Sequence, residues 1–92
     1  MTFNQFESDA LAGGFDEVLE RQWAPDIVIG DHTHPFAVKA LLLHGEMWLT
    51  VGEHTQHLRS GDRFELDREA LHAERYGREG ATYWVAQRNA VA

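Results

Sequence analysis

The sequence predicts an all-β domain, a sandwich or barrel of antiparallel strands preceded by one short helix. Short apolar segments beyond Phe15 alternate with turn signals rich in glycine, proline and aspartate, which is typical of antiparallel strands. Helical periodicity is confined to the first residues of the chain. An apolar content of 43% with two prolines fits one compact domain with a single core.

The N-terminal segment has the pattern of a short amphipathic helix. Phe3, Phe6, Ala10 and Leu11 fall at helical spacing, and the pair Gly13-Gly14 follows as a stop signal. We therefore assign residues 1–14 to an N-terminal helix and its lead-in, and residues 15–92 to the β domain.

Eight segments of the β domain are candidate strands. They are Asp16–Trp23, Ile27–His34, Phe36–His44, Glu46–Val51, His54–Leu58, Arg63–Leu66, Leu71–Tyr76 and Ala81–Arg88. The run from Phe36 to Leu43 is apolar nearly throughout, which predicts a central strand covered on both sides. Gly45-Glu46 is read as a turn, and the stretch from Gly77 to Gly80 as a hairpin loop.

Composition excludes several classes of function. Eight Lys and Arg against fifteen Asp and Glu give a net charge of −7, which disfavours nucleic acid and anionic membranes as partners. The chain has no cysteine, so thiolate nucleophiles, disulfides and cysteine-ligated metals are ruled out. No signal-peptide or membrane-spanning pattern is seen, and we expect a cytoplasmic protein. Because so short a chain buries little surface by itself, we also expect a homodimer.

The segment Asp31-His32-Thr33-His34-Pro35 carries the most informative chemistry. Residues two apart on a strand point to the same face, so His32 and His34 can present two imidazoles to one metal ion. The alternative is that two histidines at a polar strand end simply face solvent.

A second alternating set begins at His72. His72, Glu74 and Tyr76 share one face of a candidate strand, with Leu71 and Ala73 on the other. Pointed outward, this polar set would be an ordinary solvated face. Pointed inward, it would bring a third imidazole and a carboxylate to His32 and His34. Periodicity alone leaves both directions open.

The order of these motifs resembles the two conserved motifs of the cupin superfamily. His32, His34 and Gly45 match the first motif, and Gly61 and His72 match the second. The resemblance extends from about Trp23 to Arg88. It implies a small jelly-roll β-barrel, commonly dimeric, with a metal ion held inside by His32, His34 and His72.

The sequence departs from the family pattern at the metal site. Val38 stands where the first motif has its glutamate ligand, and Asp67 and Glu69 replace the proline and second glycine of the second motif. Valine has no donor atom. Three outcomes remain open: three histidines hold the ion with water in the open positions, Glu74 supplies an oxygen ligand, or no metal binds.

The leading functional hypothesis is a small metal-dependent enzyme, an oxygenase or a metal-assisted isomerase or lyase, acting on a small polar molecule. Histidine ligands suit Fe, Zn, Mn, Ni or Cu, and the identity stays open. Glu74 is the candidate general base, and Tyr76 is a second candidate catalytic residue because it shares that face. The alternatives are a non-catalytic barrel that binds a small, sugar-like ligand, and a protein-interaction scaffold.

Overall fold

The computed structural model describes residues 1–89, and it confirms an all-β fold with one short N-terminal helix. Residues 90–92, which the predicted β domain includes, lie outside the described part. The elements are α1 Phe3–Ala12, β1 Glu17–Trp23, β2 Val28–His32, β3 Ala37–Val51, β4 His54–Arg59, β5 Arg63–Leu66 and β6 His72–Arg88.

The described residues form six strands where the sequence predicted eight, because two pairs of candidate strands are continuous. β3 runs through Gly45-Glu46, and β6 runs through the stretch from Gly77 to Gly80. The prediction of a hairpin loop at Gly77–Gly80 is therefore wrong. Each stretch contains a glycine with positive φ. In the sequence such glycines indicate turns, but here they bend the two paired strands without ending them.

The two long strands organise the sheet. β6 pairs with β3 along most of its length. β2 pairs with the first half of β6 and β1 with the second half. Likewise, β5 pairs with the first half of β3 and β4 with the second half. All pairs are antiparallel, in the order β1-β6-β3-β4 with β2 and β5 added to β6 and β3, and the sheet is not closed. Bending the β3–β6 ladder at its middle therefore produces two layers, one with β1 and β5 and one with β2 and β4.

The bend requires glycine at two positions where backbones come into close contact. Gly45 has φ +82° and Gly80 has φ +70°. A Cβ on Gly45 would collide with the carbonyl oxygen of Gly80, and a Cβ on Gly80 would collide with that of Trp23. Only glycine has both the required conformation and the absence of a side chain.

The core lies between the two layers. Both halves of β3 contribute to it, with Ala40 and Leu42 from one and Met47 and Leu49 from the other, all essentially inaccessible to solvent. The sheet has a second apolar cluster on its outer side, where Phe6 and Ala10 of α1 pack against Leu41 and Ala86. The first half of β3 is thus covered on both faces, as its apolar run predicted.

The helix begins and ends where the sequence indicates. Thr2 and Gln5 form a reciprocal capping box at its N-terminus, and Gly13 closes its C-terminus with backbone hydrogen bonds. Within residues 1–89, no helix combines the length and apolar character that a membrane crossing requires.

Candidate metal centre

A bulge at the end of β2 sets the direction of His32. Ile29 lies opposite Glu74 and His32 lies opposite His72, so β2 takes three steps where β6 takes two. The extra residue brings Ile29 and His32 to the same face although they are three apart. Ile29 packs against the core, and His32 therefore also points toward the interior.

β6 turns its polar face inward. His72 is 2% exposed, Glu74 7% and Tyr76 1%, while on the other face Leu71 and Arg75 are exposed and Ala73 is half-buried. This arrangement resolves the alternative that the sequence left open for His72, Glu74 and Tyr76. It follows from the position of the strand, which has β2 on one side and β3 on the other and covers the core.

His34 follows β2 and is held by two contacts. Its ring stacks on Phe36 with centroids 4.9 Å apart and an interplanar angle of 10°. Its carbonyl oxygen accepts a hydrogen bond of 2.8 Å from the backbone N–H of Glu69. Glu69 has φ +62°, a conformation that glycine adopts more easily, and it stands where the family motif has glycine.

The three imidazoles converge. Ring centroids are 4.2 Å apart for His32 and His72, 4.9 Å for His32 and His34, and 5.1 Å for His34 and His72. One ring nitrogen from each lies within 4.8 Å of the other two. Three donors that are distant in sequence thus come together at one point.

Backbone carbonyls fix the orientation of two of the rings. Nδ1 of His32 lies 2.8 Å from the Gly30 carbonyl oxygen, and Nδ1 of His72 lies 2.9 Å from that of Ala70. A carbonyl oxygen only accepts, so Nδ1 carries the hydrogen in both rings. In the neutral rings Nε2 is then left with a free lone pair, which is the state of a histidine ready to bind a metal.

The cluster also favours the neutral form of His34. Burial lowers the pKa of His34 below its ordinary value, and the neighbouring His72 and His32 lower it further. Neutral imidazole is the form that binds metal ions.

Glu74 lies beside the cluster and is tied to the aromatic residues behind it. Its Oε2 is 3.6 Å from Nε2 of His32, and its Oε1 accepts a hydrogen bond of 3.1 Å from the Tyr76 hydroxyl. Burial raises the pKa of Tyr76, and its interactions with Tyr83 and Glu74 raise it further, so Tyr76 stays protonated as the donor. The Tyr83 hydroxyl, which interacts with Tyr76, in turn accepts a hydrogen bond of 3.0 Å from the indole N–H of Trp23.

Val38 faces the same space as the histidines. It is 7% exposed and lines an interior cavity of about 50 Å³ together with His34, His72 and Glu74. The position that carries the family's glutamate ligand is therefore directed at the site, but here it contributes only a methyl surface.

Among the residues of the cavity that sequence reasoning missed are two with long polar side chains, Arg21 of β1 and Gln87 of β6. The alternation of Leu19, Arg21 and Trp23 along one strand was the available signal, since Leu19 and Trp23 both pack on the core. An arginine between two inward-facing apolar residues indicates that its side chain starts from the inner face.

The remaining histidines lie outside this cluster. His44, His54 and His57 are exposed. His57 is bound on the outer surface, where its Nε2 is 2.8 Å from Oε2 of Glu46 and its ring stacks on Trp48.

The donor set fits a divalent first-row metal ion. Three neutral imidazole nitrogens suit Zn, Fe, Ni or Cu. Metal–nitrogen bonds of about 2.0–2.1 Å allow donors to be no more than about 4.2 Å apart, so the rings must rotate slightly inward around an ion. The group of donor atoms within 4.8 Å of one another comprises the three histidines and does not include Glu74.

Comparison with known proteins gives structural relatives but no sequence relatives. No protein-family model matches the chain. No curated protein matches it either.

Three solved structures illustrate the structural likeness. A Rhizobium leguminosarum bv. viciae 3841 protein of unknown function superposes with a TM-score of 0.72 at 16% identity over 76% of this chain. An RmlC-like cupin from Shewanella frigidimarina NCIMB 400 superposes with a TM-score of 0.69 at 15% identity over 82% of this chain. A structure of the DMSP lyases RdDddP and RnDddQII superposes with a TM-score of 0.72 at 20% identity over 79% of this chain.

The chain spans 66%, 68% and 38% of the lengths of these three proteins, in the same order. At such identities the likeness establishes the fold and not the activity. Together with the topology described above, it shows that this chain has the fold of the cupin superfamily, a small jelly roll of antiparallel strands behind one short helix.

Proposed function

We propose that His32, His34 and His72 hold one divalent metal ion and that the chain is a small metal-dependent enzyme acting on a small polar molecule. The observation that carries this proposal is the convergence of three donor nitrogens within 4.8 Å beside an interior cavity. Three protein ligands leave coordination positions open, which is the arrangement that catalytic sites use.

Glu74 acts as the general base in this proposal. Its carboxylate is buried next to the cluster, and Tyr76 holds Oε1 by a hydrogen bond, so Oε2 is the oxygen that faces His32. A carboxylate held in this way can take a proton from a molecule in the cavity, or orient water there. Tyr76 acts through Glu74 and is a positioning residue.

The cavity limits the size of the substrate. A volume of about 50 Å³ has room for a few water molecules or a molecule of a few non-hydrogen atoms. Phe36, Phe64 and Leu66 form apolar walls of this cavity. A molecule that filled the cavity would displace water from it, which would strengthen the electrostatic interactions of Glu74 with that molecule.

Two reaction classes remain within this proposal. A bound ion would supply either dioxygen activation, if it is iron, or polarisation of a carbonyl or hydroxyl group, if it is a Lewis acid such as zinc.

A second candidate function is the binding of a small, sugar-like ligand without catalysis, of which a cavity of about 50 Å³ would enclose only one end. The observation in its favour is Val38, which occupies a cavity-facing position with no donor atom. This candidate predicts a protein that binds its ligand whether or not metal is present.

Metal analysis of protein made without a polyhistidine tag tests the leading proposal. We expect about one ion per chain, a loss of most of that ion in His32→Ala and His72→Ala, and no loss in the control His54→Ala, which alters an exposed histidine. Iron in the native protein would be followed by oxygen-uptake assays with diketones, thiols and phenols. Zinc or manganese with no uptake would support the Lewis-acid class, and a native protein without stoichiometric metal would contradict the proposal.

We also propose that the protein forms a homodimer. Small chains gain from burial in an interface, and Val28 and Leu71 are 70% and 55% exposed apolar residues. Sedimentation equilibrium is the test: twice the chain mass at micromolar concentration supports the dimer, and the mass of one chain contradicts it.

A further inference from the structure

Arg21 is a charged residue on the inner face of an edge strand. It lies opposite Tyr83 in the β1–β6 pair, and Leu19 and Trp23, two residues away on either side, pack against the core. Arg21 and Tyr83 both line the interior cavity. Since Arg21 is itself exposed, its guanidinium lies where the cavity opens to solvent.

The guanidinium of Arg21 has no partner within the part of the chain that the structure describes. Neither an ion pair nor a side-chain hydrogen bond involves it. By contrast, Arg88 donates to the Gly13 and Gly14 carbonyls and Arg75 stacks on Trp48. In a chain of net charge −7, an unpaired cation at a cavity mouth creates a local attraction for anions.

The two layers give the cavity two chemically different parts. The segment after β2 supplies the imidazole of His34, and the first half of β6 supplies that of His72 and the Glu74 carboxylate. β1 and the second half of β6 supply Arg21 and the carboxamide of Gln87, which can both donate hydrogen bonds. Apolar side chains, including Val38 and Phe64, line the space as well.

We propose that Arg21, assisted by Gln87, is a subsite for the carboxylate group of a small substrate whose other end faces the three histidines. An arginine fork pairs with a carboxylate through two parallel hydrogen bonds. Glu74 repels the same group, so the carboxylate is directed to Arg21 and the uncharged end of the molecule to Glu74 and the cluster. The assignment of that second end rests on the proposed metal-dependent function, whereas the binding of the carboxylate does not.

Propionate and its neutral isostere propionamide are suitable probes, because they differ mainly in charge. Titrations followed by ¹H–¹⁵N NMR, at constant ionic strength, measure binding at the Arg21 side-chain N–H and the Tyr83 amide. Each titration is made on zinc-free and on zinc-loaded protein. We expect propionate to bind at least about tenfold more tightly than propionamide, as a charge-assisted pair predicts.

Variants identify the residue responsible. Arg21→Gln should weaken propionate binding about tenfold. Arg21→Lys should weaken it less, because lysine keeps the charge but lacks the planar guanidinium fork. Arg78→Gln should bind propionate as the native protein does. Arg78 is the matched control because it is exposed and does not line this cavity. The fold of each variant is checked in the same spectra.

The outcomes separate this subsite from the metal site. Propionate binding by zinc-free protein that depends on Arg21 supports the subsite even if the three histidines hold no ion. Binding that requires zinc and survives in Arg21→Gln overturns the subsite while the metal site stands, because the carboxylate is then bound by the ion. Equal affinity for propionate and propionamide also overturns it.

Discussion

The Tyr76 hydroxyl donates a hydrogen bond of 3.1 Å to Oε1 of Glu74, and both side chains are buried. The two residues are adjacent on the inner face of β6. This contact orients the carboxylate next to His32. The sequence left two roles open for Glu74, metal ligand and general base.

The first prediction concerns those roles. Glu74→Gln keeps the shape of the side chain but removes its basicity, so we expect metal content to stay near that of the native protein while turnover falls by about 10²-fold or more. Tyr76→Phe removes only the hydrogen bond and should reduce turnover less, with a loss of stability of about 1–2 kcal/mol. Metal content and thermal denaturation are measured on the same samples. If Glu74→Gln lost the metal together with activity, Glu74 would be a ligand.

The second prediction concerns Val38. Because Val38 faces the cavity beside His34 and His72, a carboxylate there should join the donor set. We expect Val38→Glu to bind zinc at least about tenfold more tightly than the native protein in a competition titration with a chromogenic chelator. The metal-free variant should be less stable, because a buried carboxylate without a partner is costly.

Lys39→Glu is the control for the Val38 variant. Lys39 is the next residue of β3 and borders a different, outer pocket, so the same new side chain should leave zinc affinity unchanged. Equal affinity of Val38→Glu and native protein would show that position 38 does not reach the ion.

The third prediction tests the bend that creates the two layers. Gly45→Ala places a Cβ against the backbone of Gly80 and should lower the free energy of unfolding by about 3 kcal/mol or more. Gly52→Ala is the matched control, because Gly52 also has positive φ, at +61°, but has open space around it. Gly52→Ala should lower the free energy of unfolding by about 1–2 kcal/mol, from backbone strain alone. Urea denaturation that gave equal losses would contradict the close crossing of β3 and β6.

The fourth prediction is a pH dependence that originates at His34. Its pKa is lowered in the folded protein by burial and by the other two imidazoles, whereas in the unfolded chain it is near 6.5. Below about that pH the unfolded state therefore binds more protons at this residue, and the contribution of His34 to stability becomes less favourable as pH falls. We expect chelator-treated protein to lose stability from pH 7.5 to 5.5, and His34→Asn to lose less.

His54→Asn is the control for the pH series, since His54 is exposed and outside the cluster. Its thermal denaturation should follow that of the native protein at each pH. A His34→Asn variant with the native pH dependence would show that His34 titrates alike in the folded and unfolded states.

Much of the fold was predictable because local patterns and tertiary packing agree. The apolar spacing from Phe3 to Leu11 gives a helix, and the continuous apolar run of β3 gives a strand covered on both sides. The six-strand count was not predictable. Glycines that signal a turn in an isolated segment become bends when a long partner strand continues alongside, and only the pairing of β3 with β6 shows which applies.

The candidate site was predictable in part. The resemblance to cupin motifs suggested His32, His34 and His72, but the direction of His72 depends on the strands that flank β6, and that of His32 on a bulge. Neither has a signature in the residues themselves. Arg21 was missed because β1 looks like an ordinary edge strand until Tyr83 and the cavity are placed beside it.

Anomalous scattering from crystals of the metal-loaded protein would show whether one ion lies between the three histidines. Data collected on either side of the absorption edge of the bound element identify it and locate it. We expect one peak per chain, about 2.0–2.3 Å from a ring nitrogen of each of His32, His34 and His72, with Glu74 outside the coordination sphere. No peak at this position in metal-loaded crystals, or a peak bound by other residues, would contradict this expectation.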